Sequence, residues 1–163
     1  MIAFLLEYGN NYIMFHEDLD VMQAFMDKAL DGNWYSLATF SHDLRVNVDF
    51  IKEKARLTQA YAQLGPPTWN ETDTYDAVFS MLDKTSRLPG RRVLIVAGSG
   101  LDSFSGHTLD DVEKKLESAD VTVYAVGLGS VLRGAYSRRR RLVLEDPQCF
   151  NTLFRQLDKK ANR

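Results

Sequence analysis

The sequence predicts an α/β fold, a three-layer α/β/α sandwich built on a doubly wound, mostly parallel sheet with one antiparallel edge hairpin. Two nearly continuous apolar runs, 93–96 and 121–126, read as strands that are covered on both faces. Such runs alternate with segments whose apolar residues recur at helical spacing. Only residues 41–43 separate two further strand-like runs, a spacing that indicates a hairpin.

Each element follows from its local pattern. The apolar run 2–6 ends on Glu7, and Gly9 breaks it. Apolar residues recur at helical spacing over 21–29 before Gly32 ends the helix, and over 44–50 they alternate with polar ones. Thr108 fits an N-cap. The predicted elements are strand 2–7, helix 18–30, strands 34–40 and 44–49, helices 51–63 and 73–86, strand 92–97, helix 108–118, strand 121–127 and a final helix near 147–160.

Composition describes one globular domain over residues 1–163, with 45% hydrophobic and 26% charged residues. The formal net charge of -2 gives no general attraction for nucleic acid or anionic membranes. No apolar stretch approaches the roughly 20 residues that span a bilayer, so we expect no membrane insertion. Cys149 is the single cysteine, which excludes an internal disulfide.

Ligands of doubly wound sheets bind at the carboxyl ends of the strands. That rule selects three segments of this chain, 7–11, 71–76 and 97–102. The first follows the opening strand, the second precedes a helix, and the third follows the strand around 92–97. We expect them to meet at one edge of the sheet.

These segments together resemble a von Willebrand factor A-type domain, and the closest branch is the A-domain-related family abundant in Acidobacteria. The resemblance rests on IAFLLEYGNN, ETDTYDAVFSMLDK, RRVLIVAGSGLDSFSGHT and VTVYAVGLGS. It implies a Rossmann-like fold of this type and a non-catalytic module for protein binding or adhesion. It also implies a secreted or periplasmic protein whose targeting signal is absent from this chain.

The hallmark of that family is a metal-ion-dependent adhesion site, in which aspartate, serine and threonine oxygens hold Mg²⁺. The matching positions here form a degenerate set: Glu7, Gly9, Asn11, Thr72 and Gly98. Glycine supplies no ligand, and glutamate is a methylene too long for a cation that demands near-ideal octahedral geometry. We therefore expect no cofactor. The alternative is a weakened Mg²⁺ site of Glu7, Asn11 and Thr72, helped by Asp73 or Asp102.

Catalytic patterns are weak. Gly98-Ser99-Gly100 lacks the lysine of a phosphate-binding loop, and Ser99 has no Gly-x-Ser-x-Gly context. His107 is the one base candidate near it in sequence. We interpret Glu7 as a carboxylate that accepts N–H bonds from the following turn, and we expect no enzyme. A doubly wound hydrolase or nucleotide-binding enzyme remains the alternative.

A binding module needs a recognition surface, and we expect another protein as its partner. The residues predicted to contact it are Tyr8, Asn10, Asn11, Trp69, Asn70 and Asp102. The run Arg138–Arg141 is a competing site for an acidic partner, although a solvated loop explains it as well.

The C-terminal part has two placements. Residues 142–145 form the sixth strand of the sheet, or the helix near 147–160 precedes a strand that this chain lacks. The resemblance to the acidobacterial branch favours the second placement, which would leave strand 121–127 as an uncovered sheet edge.

Overall fold

A computed structural model of the chain describes residues 1–9, 23–28, 31–65 and 71–127. The elements in chain order are β1 (Ile2–Glu7), α1 (seen over 23–28), β2 (Tyr35–Phe40), β3 (Leu44–Ile51), α2 (Lys54–Ala62), α3 (Thr74–Ser86), β4 (Val93–Gly98), α4 (Leu109–Ser118) and β5 (Thr122–Gly127). The predicted final helix near 147–160 lies outside the described residues.

One predicted boundary is wrong. The sequence predicts a helix over 51–63, but β3 continues through Ile51 and α2 begins at Lys54. Ile51 pairs with Tyr35 of β2, so a cross-strand partner outweighs the local helical pattern. The other predicted elements that fall on described residues are confirmed.

The sheet has the strand order β3-β2-β1-β4-β5. β1 pairs in parallel with β2 and with β4, and β4 pairs in parallel with β5. β2 and β3 are antiparallel and form the edge hairpin, as predicted. The carboxyl ends of β1, β2, β4 and β5 therefore lie along one edge of the sheet.

The sheet separates two apolar clusters. Ala3 and Leu5 of β1 face one side and pack with residues of α3 and α4, whereas Phe4 and Leu6 face the other side and pack with residues of α1 and α2. Alternation along β1 therefore buries both of its faces, and helices cover each side of the sheet. This is the predicted three-layer sandwich. Within the described residues, no helix is both long and apolar enough to cross a membrane.

The start of α4 confirms the predicted cap. The Thr108 side chain accepts a hydrogen bond from the Asp111 backbone N–H, and the Asp111 carboxylate accepts one from the Thr108 backbone N–H. This reciprocal pair satisfies two backbone donors at the helix start. It fixes the end of the loop that leaves β4.

Candidate binding face at the strand ends

Glu7 ends β1 beside the end of β4, and its carboxylate reaches across to Ser99. Glu7 Oε2 accepts a hydrogen bond from the Ser99 backbone N–H at 2.5 Å and another from Ser99 Oγ at 2.7 Å. Burial raises the pKa of Glu7, while the two bonds from Ser99 oppose that rise. The sequence indicated a backbone donor in the turn after β1. The donor seen here is instead Ser99, the first residue after the neighbouring strand β4.

Gly98 leaves the space that Glu7 fills. A Cβ added to Gly98 would lie 2.6 Å from Glu7 Oε2 and 2.9 Å from Glu7 Cβ, closer than unstrained atoms approach. The long carboxylate at one position and the missing side chain at the other are therefore complementary. Substituting either residue alone disturbs the other.

Thr72 precedes α3 and is only 5% exposed. Its hydroxyl donates to the Leu101 carbonyl at 3.2 Å, and the Thr74 hydroxyl donates to the same carbonyl. The Ser103 backbone N–H donates to the Thr72 carbonyl at 2.7 Å. These bonds fasten the loop after β4 to the start of α3.

Asp102 extends this fastening. Its Oδ1 accepts from the Tyr75 backbone N–H at 3.0 Å and from the Ser105 hydroxyl at 2.6 Å. Ser105 Oγ in turn accepts from the Asp76 backbone N–H at 3.1 Å. The loop thus satisfies backbone donors that the first turn of α3 leaves without intrahelical partners.

Asp76 anchors the far end of the same loop. Its carboxylate accepts from the backbone N–H groups of Gly106 and His107, and His107 Nδ1 lies 2.6 Å from Asp76 Oδ1. Burial alone would raise the pKa of Asp76, but the Gly106 and His107 bonds outweigh burial and lower it. The His107 ring also stacks on Phe79, with 3.9 Å between the ring centroids. The base candidate near Ser99 in sequence therefore contacts Asp76, whereas Ser99 contacts Glu7.

Comparison with known proteins identifies the architecture. No protein-family model matches the sequence, and no curated protein matches it. An aerotolerance-related membrane protein from Bacteroides fragilis aligns over 99% of this chain and 87% of its own, with 10% identity and a TM-score of 0.67. The conserved hypothetical protein BatB from Bacteroides thetaiotaomicron aligns over 77% of this chain and 65% of its own, with 14% identity and a TM-score of 0.65.

A third similar structure is proximal thread matrix protein 1 from the mussel byssus, with zinc in its metal-ion-dependent adhesion site. It aligns over 77% of this chain but only 35% of its own, with 20% identity and a TM-score of 0.60. This chain therefore spans about a third of the mussel structure and 65% of the BatB structure. Identities this low show the fold alone. The fold is that of a von Willebrand factor A-type domain. The narrower likeness to the acidobacterial branch stays a prediction.

The described residues at the positions that the resemblance assigns to a magnesium site have other partners in this structure. The Glu7 carboxylate accepts hydrogen bonds from Ser99, and the Thr72 hydroxyl donates a hydrogen bond to the Leu101 carbonyl. Gly9 and Gly98 carry no ligand atoms. Among the described residues, no group of three or more histidine, cysteine, aspartate or glutamate side chains is arranged to hold a metal ion.

The two helper carboxylates of the alternative site point elsewhere. Asp102 binds the start of α3, as described above. Asp73 is directed toward the β2–β3 hairpin, where its Oδ2 lies 2.9 Å from His42 Nδ1. Its backbone N–H donates to the Ser41 carbonyl at 2.8 Å. Asp73 Oδ2 and Asp102 Oδ1 therefore already have partners, whereas Asp73 Oδ1 is buried with no hydrogen-bond partner among the described residues.

The loop after β4 also presents an apolar tip that the sequence reasoning missed. Phe104 is 70% exposed, and Leu101 in the same loop is 37% exposed. The residues around Phe104 are mostly small and polar, so its sequence context is that of an ordinary turn. A large aromatic side chain within a run of serine, glycine and aspartate was the one available signal.

Tyr8 lines a groove of about 620 Å³ at the opposite side of this edge. The groove lies between the β2–β3 hairpin and the end of α2, where Gln63, Leu64 and Gly65 line it.

We call the surface at the carboxyl ends of the strands the strand-end face, comprising residues 7–9, 41–45, 71–73 and 99–105. The other predicted contact residues Asn10, Asn11, Trp69 and Asn70 lie outside the described residues, as does the run 138–141.

Proposed function

We propose that this chain is a non-catalytic, adhesion-type protein-binding module that uses the strand-end face without a bound metal. The observation that carries the proposal is Phe104, a large aromatic side chain exposed at the tip of a loop that many hydrogen bonds fix. The rest of the face supplies polar groups around this anchor. Tyr8 and Asp102, two of the predicted contact residues, belong to the same face.

A fixed loop favours binding because little conformational freedom is lost when the partner docks. Asp102, Ser103 and Ser105 each hydrogen-bond the start of α3, so the backbone on both sides of Phe104 is held. Exposed aromatic side chains surrounded by polar groups are frequent hot spots of protein interfaces. Burying one such ring stabilises a complex by about 2 kcal/mol or more.

The metal-free part of the proposal is supported by the contact between Glu7 and Gly98. A magnesium ligand after β4 would need a side chain at residue 98, where Glu7 already fills the space. Partner recognition on this face then depends on packing, hydrogen bonds and fixed charges. Melting curves recorded with and without a divalent cation test this part.

The buried position of Ser99 supports a binding function over hydrolysis. A hydroxyl 2.7 Å from a carboxylate is one feature of an activated nucleophile, but Ser99 is only 2% exposed. A substrate carbonyl cannot reach a hydroxyl at that depth without opening the sheet edge. Ser99 instead satisfies Glu7 and accepts a hydrogen bond from the Leu101 backbone N–H.

A secreted or periplasmic location agrees with the named neighbours. One is a membrane protein, and another is a thread matrix protein from the mussel byssus. An adhesion-type module would meet its partner outside the cytoplasm. We therefore propose that this chain works in such a compartment.

The test is quantitative capture of native partners from the source organism with immobilised wild-type and variant proteins. Phe104→Ser should weaken specific capture at least about tenfold, the loss expected for a hot-spot aromatic. Trp34→Ser is the matched control, because Trp34 is an exposed aromatic at the other end of the sheet, where β2 begins. Equal capture by wild type and Phe104→Ser, or an equal loss in both variants, would contradict the proposal.

Trp69→Ala tests the anchor that the sequence predicted. We expect it to weaken the same capture while the melting temperature stays nearly unchanged. Neutralising the arginines of 138–141 tests the competing hypothesis that this run binds the partner. If that change abolishes capture and neither aromatic substitution does, the strand-end face is the wrong surface.

A further inference from the structure

We propose that the groove beside Tyr8 binds an acidic side chain of the partner protein, with the Arg45 guanidinium as the recognition group. The inference rests on the proposed function, since it assigns a partner chemistry to one part of the strand-end face. Its site is separate from Phe104, which projects from the loop after β4. The two can therefore be tested independently.

The groove has the size and position of a binding site. Its volume of about 620 Å³ lies within the roughly 300–1,000 Å³ typical of small-ligand sites, and it opens where β1 and β2 end. Its walls come from the β2–β3 hairpin and the last turn of α2. Strands and a helix position these walls, so the groove does not depend on ligand binding to form.

Arg45 is the one basic residue among the described residues that line the groove. It stands opposite Thr39 in the antiparallel pair of β2 and β3, and its side chain is exposed. The ion pairs of the described residues use other basic side chains, such as Lys84 with Asp49 and Lys54 with Asp31, and none of them includes Arg45. Arg45 interacts electrostatically with Tyr8, and no carboxylate of the described residues forms an ion pair with it.

The neighbours of Arg45 favour a carboxylate over a phosphate group. Among the described lining residues other than Arg45, the polar side chains are uncharged, such as those of Ser41, Asn47 and Gln63, except for the acidic Asp43. A single guanidinium beside an acidic residue is too little positive charge for a dianion. It matches the single charge of an aspartate or glutamate, which a guanidinium can bind through two parallel N–H···O bonds.

Asn47 supplies a complementary group for the ligand backbone. Its side-chain amide nitrogen donates to Thr39 Oγ1 at 2.9 Å, which holds the amide in place. The amide oxygen is then an acceptor for a peptide N–H. An acidic residue within an extended peptide segment offers both groups that the groove can bind.

The proposal also separates the positive charge of this face from Glu7. The buried Glu7 carboxyl at the end of β1 accepts hydrogen bonds from Ser99 and offers no positive charge to a partner carboxylate. Arg45 provides a fixed positive charge at the same sheet edge. The acidic ligand then binds about where β2 and β3 meet and not above β4.

The experiment is an NMR titration of the full-length, isotope-labelled chain with N-acetyl-glutamic acid α-amide. The matching glutamine compound differs only in charge. We expect the glutamate probe to shift the Arg45 Nε–H signal and the Asn47 and Gln63 side-chain amides. A lone exposed ion pair adds up to about fivefold in affinity, so the titration extends to about 100 mM of each probe.

Substitutions of both signs sharpen the test. Arg45→Gln should abolish the preference for glutamate, whereas Asp43→Asn should strengthen glutamate binding about twofold by removing a like charge. Arg91→Gln is the matched control, because Arg91 is an exposed arginine preceding β4 at the opposite sheet edge. It should leave the preference unchanged.

Equal shifts with both probes, shifts elsewhere on the protein, or a preference that survives Arg45→Gln would overturn the groove assignment. The absence of any shift would overturn it too. If capture still depends on Phe104 in any of these cases, the proposed binding function stands without the groove. If the titration gives the expected result but Phe104→Ser leaves capture unchanged, the groove assignment is supported and Phe104 is not the anchor.

Discussion

Adding a single methyl group at residue 98 should destabilise the fold, because the space beside Gly98 already belongs to Glu7. In Gly98→Ala the new Cβ would lie 2.6 Å from Glu7 Oε2 and 2.9 Å from Glu7 Cβ. The carboxylate can rotate away from the first contact only by leaving Ser99. The second contact involves the root of the side chain, so relief requires a backbone shift.

The size of the effect follows from these two contacts. Overpacking a well-filled site costs about 1–3 kcal/mol. Separating Glu7 from Ser99 loses two hydrogen bonds, each of which contributes about 0.5–1.5 kcal/mol. Either the backbone shifts or Glu7 leaves Ser99, so the two costs do not add in full. We expect Gly98→Ala to lower the free energy of unfolding by about 3 kcal/mol. For a domain of this size, that lowers the melting temperature by about 6–12 °C.

Thermal and chemical unfolding of a double-mutant cycle measures this coupling. Glu7→Gly removes both atoms that the added methyl group would meet, so Gly98→Ala in that background should be neutral or slightly stabilising. The coupling between the two positions should then be about 2–3 kcal/mol. Gly65→Ala is the control, since a Cβ there meets no atom of the described residues within 4 Å. A Gly98→Ala cost below about 1 kcal/mol, or the same cost in both backgrounds, would refute the reasoning.

Three further predictions concern charge and metal. The pKa of Glu7 is raised in the folded state, so its contribution to stability is present below the ordinary value of 4.5 and is lost as the pH rises through the folded pKa. Melting temperatures measured across pH should show this decline in the wild type, and Glu7→Gln should remove it. The pKa of Asp76 is lowered in the folded state, so its contribution to folding stability is present above pH 3.8 and is lost in acid. Asp76→Asn should therefore lower the free energy of unfolding by about 1 kcal/mol near pH 7 and by little in acid. An equal loss at both pH values would be inconsistent with this account. Melting curves with and without millimolar Mg²⁺ or Mn²⁺ should coincide, and a metal-dependent rise that Thr72→Ala abolishes would show that the site still binds a cation.

The sheet and its helices were predictable because their signals are local. Alternation over 44–50 and the continuous apolar run 93–96 each report burial within a few residues. The short gap at 41–43 was enough to predict the hairpin. The error at Ile51 came from a partner, Tyr35, that lies far away in sequence.

The candidate site was less predictable because its contacts join distant segments. Glu7 and Ser99 are 92 residues apart, and no local pattern indicates that the carboxylate turns toward β4. Gly98 was identified as a missing ligand, but its role as the space for Glu7 depends on sheet pairing. Phe104 was missed because exposure of a loop aromatic depends on the bonds that hold the loop.

The same contacts give Thr72 a structural role that needs no metal ion. A threonine hydroxyl can serve as a ligand or as a hydrogen-bond donor, and here it donates to Leu101 and helps to hold the loop that carries Phe104. Glu7 and Gly98 have no such shared role, since each fits only the other. Restoring aspartate at residue 98 alone would therefore clash with Glu7 before it could offer a ligand. We therefore predict that a side-chain ligand at residue 98 requires a shorter residue 7 as well, so that the two positions behave as one coupled unit.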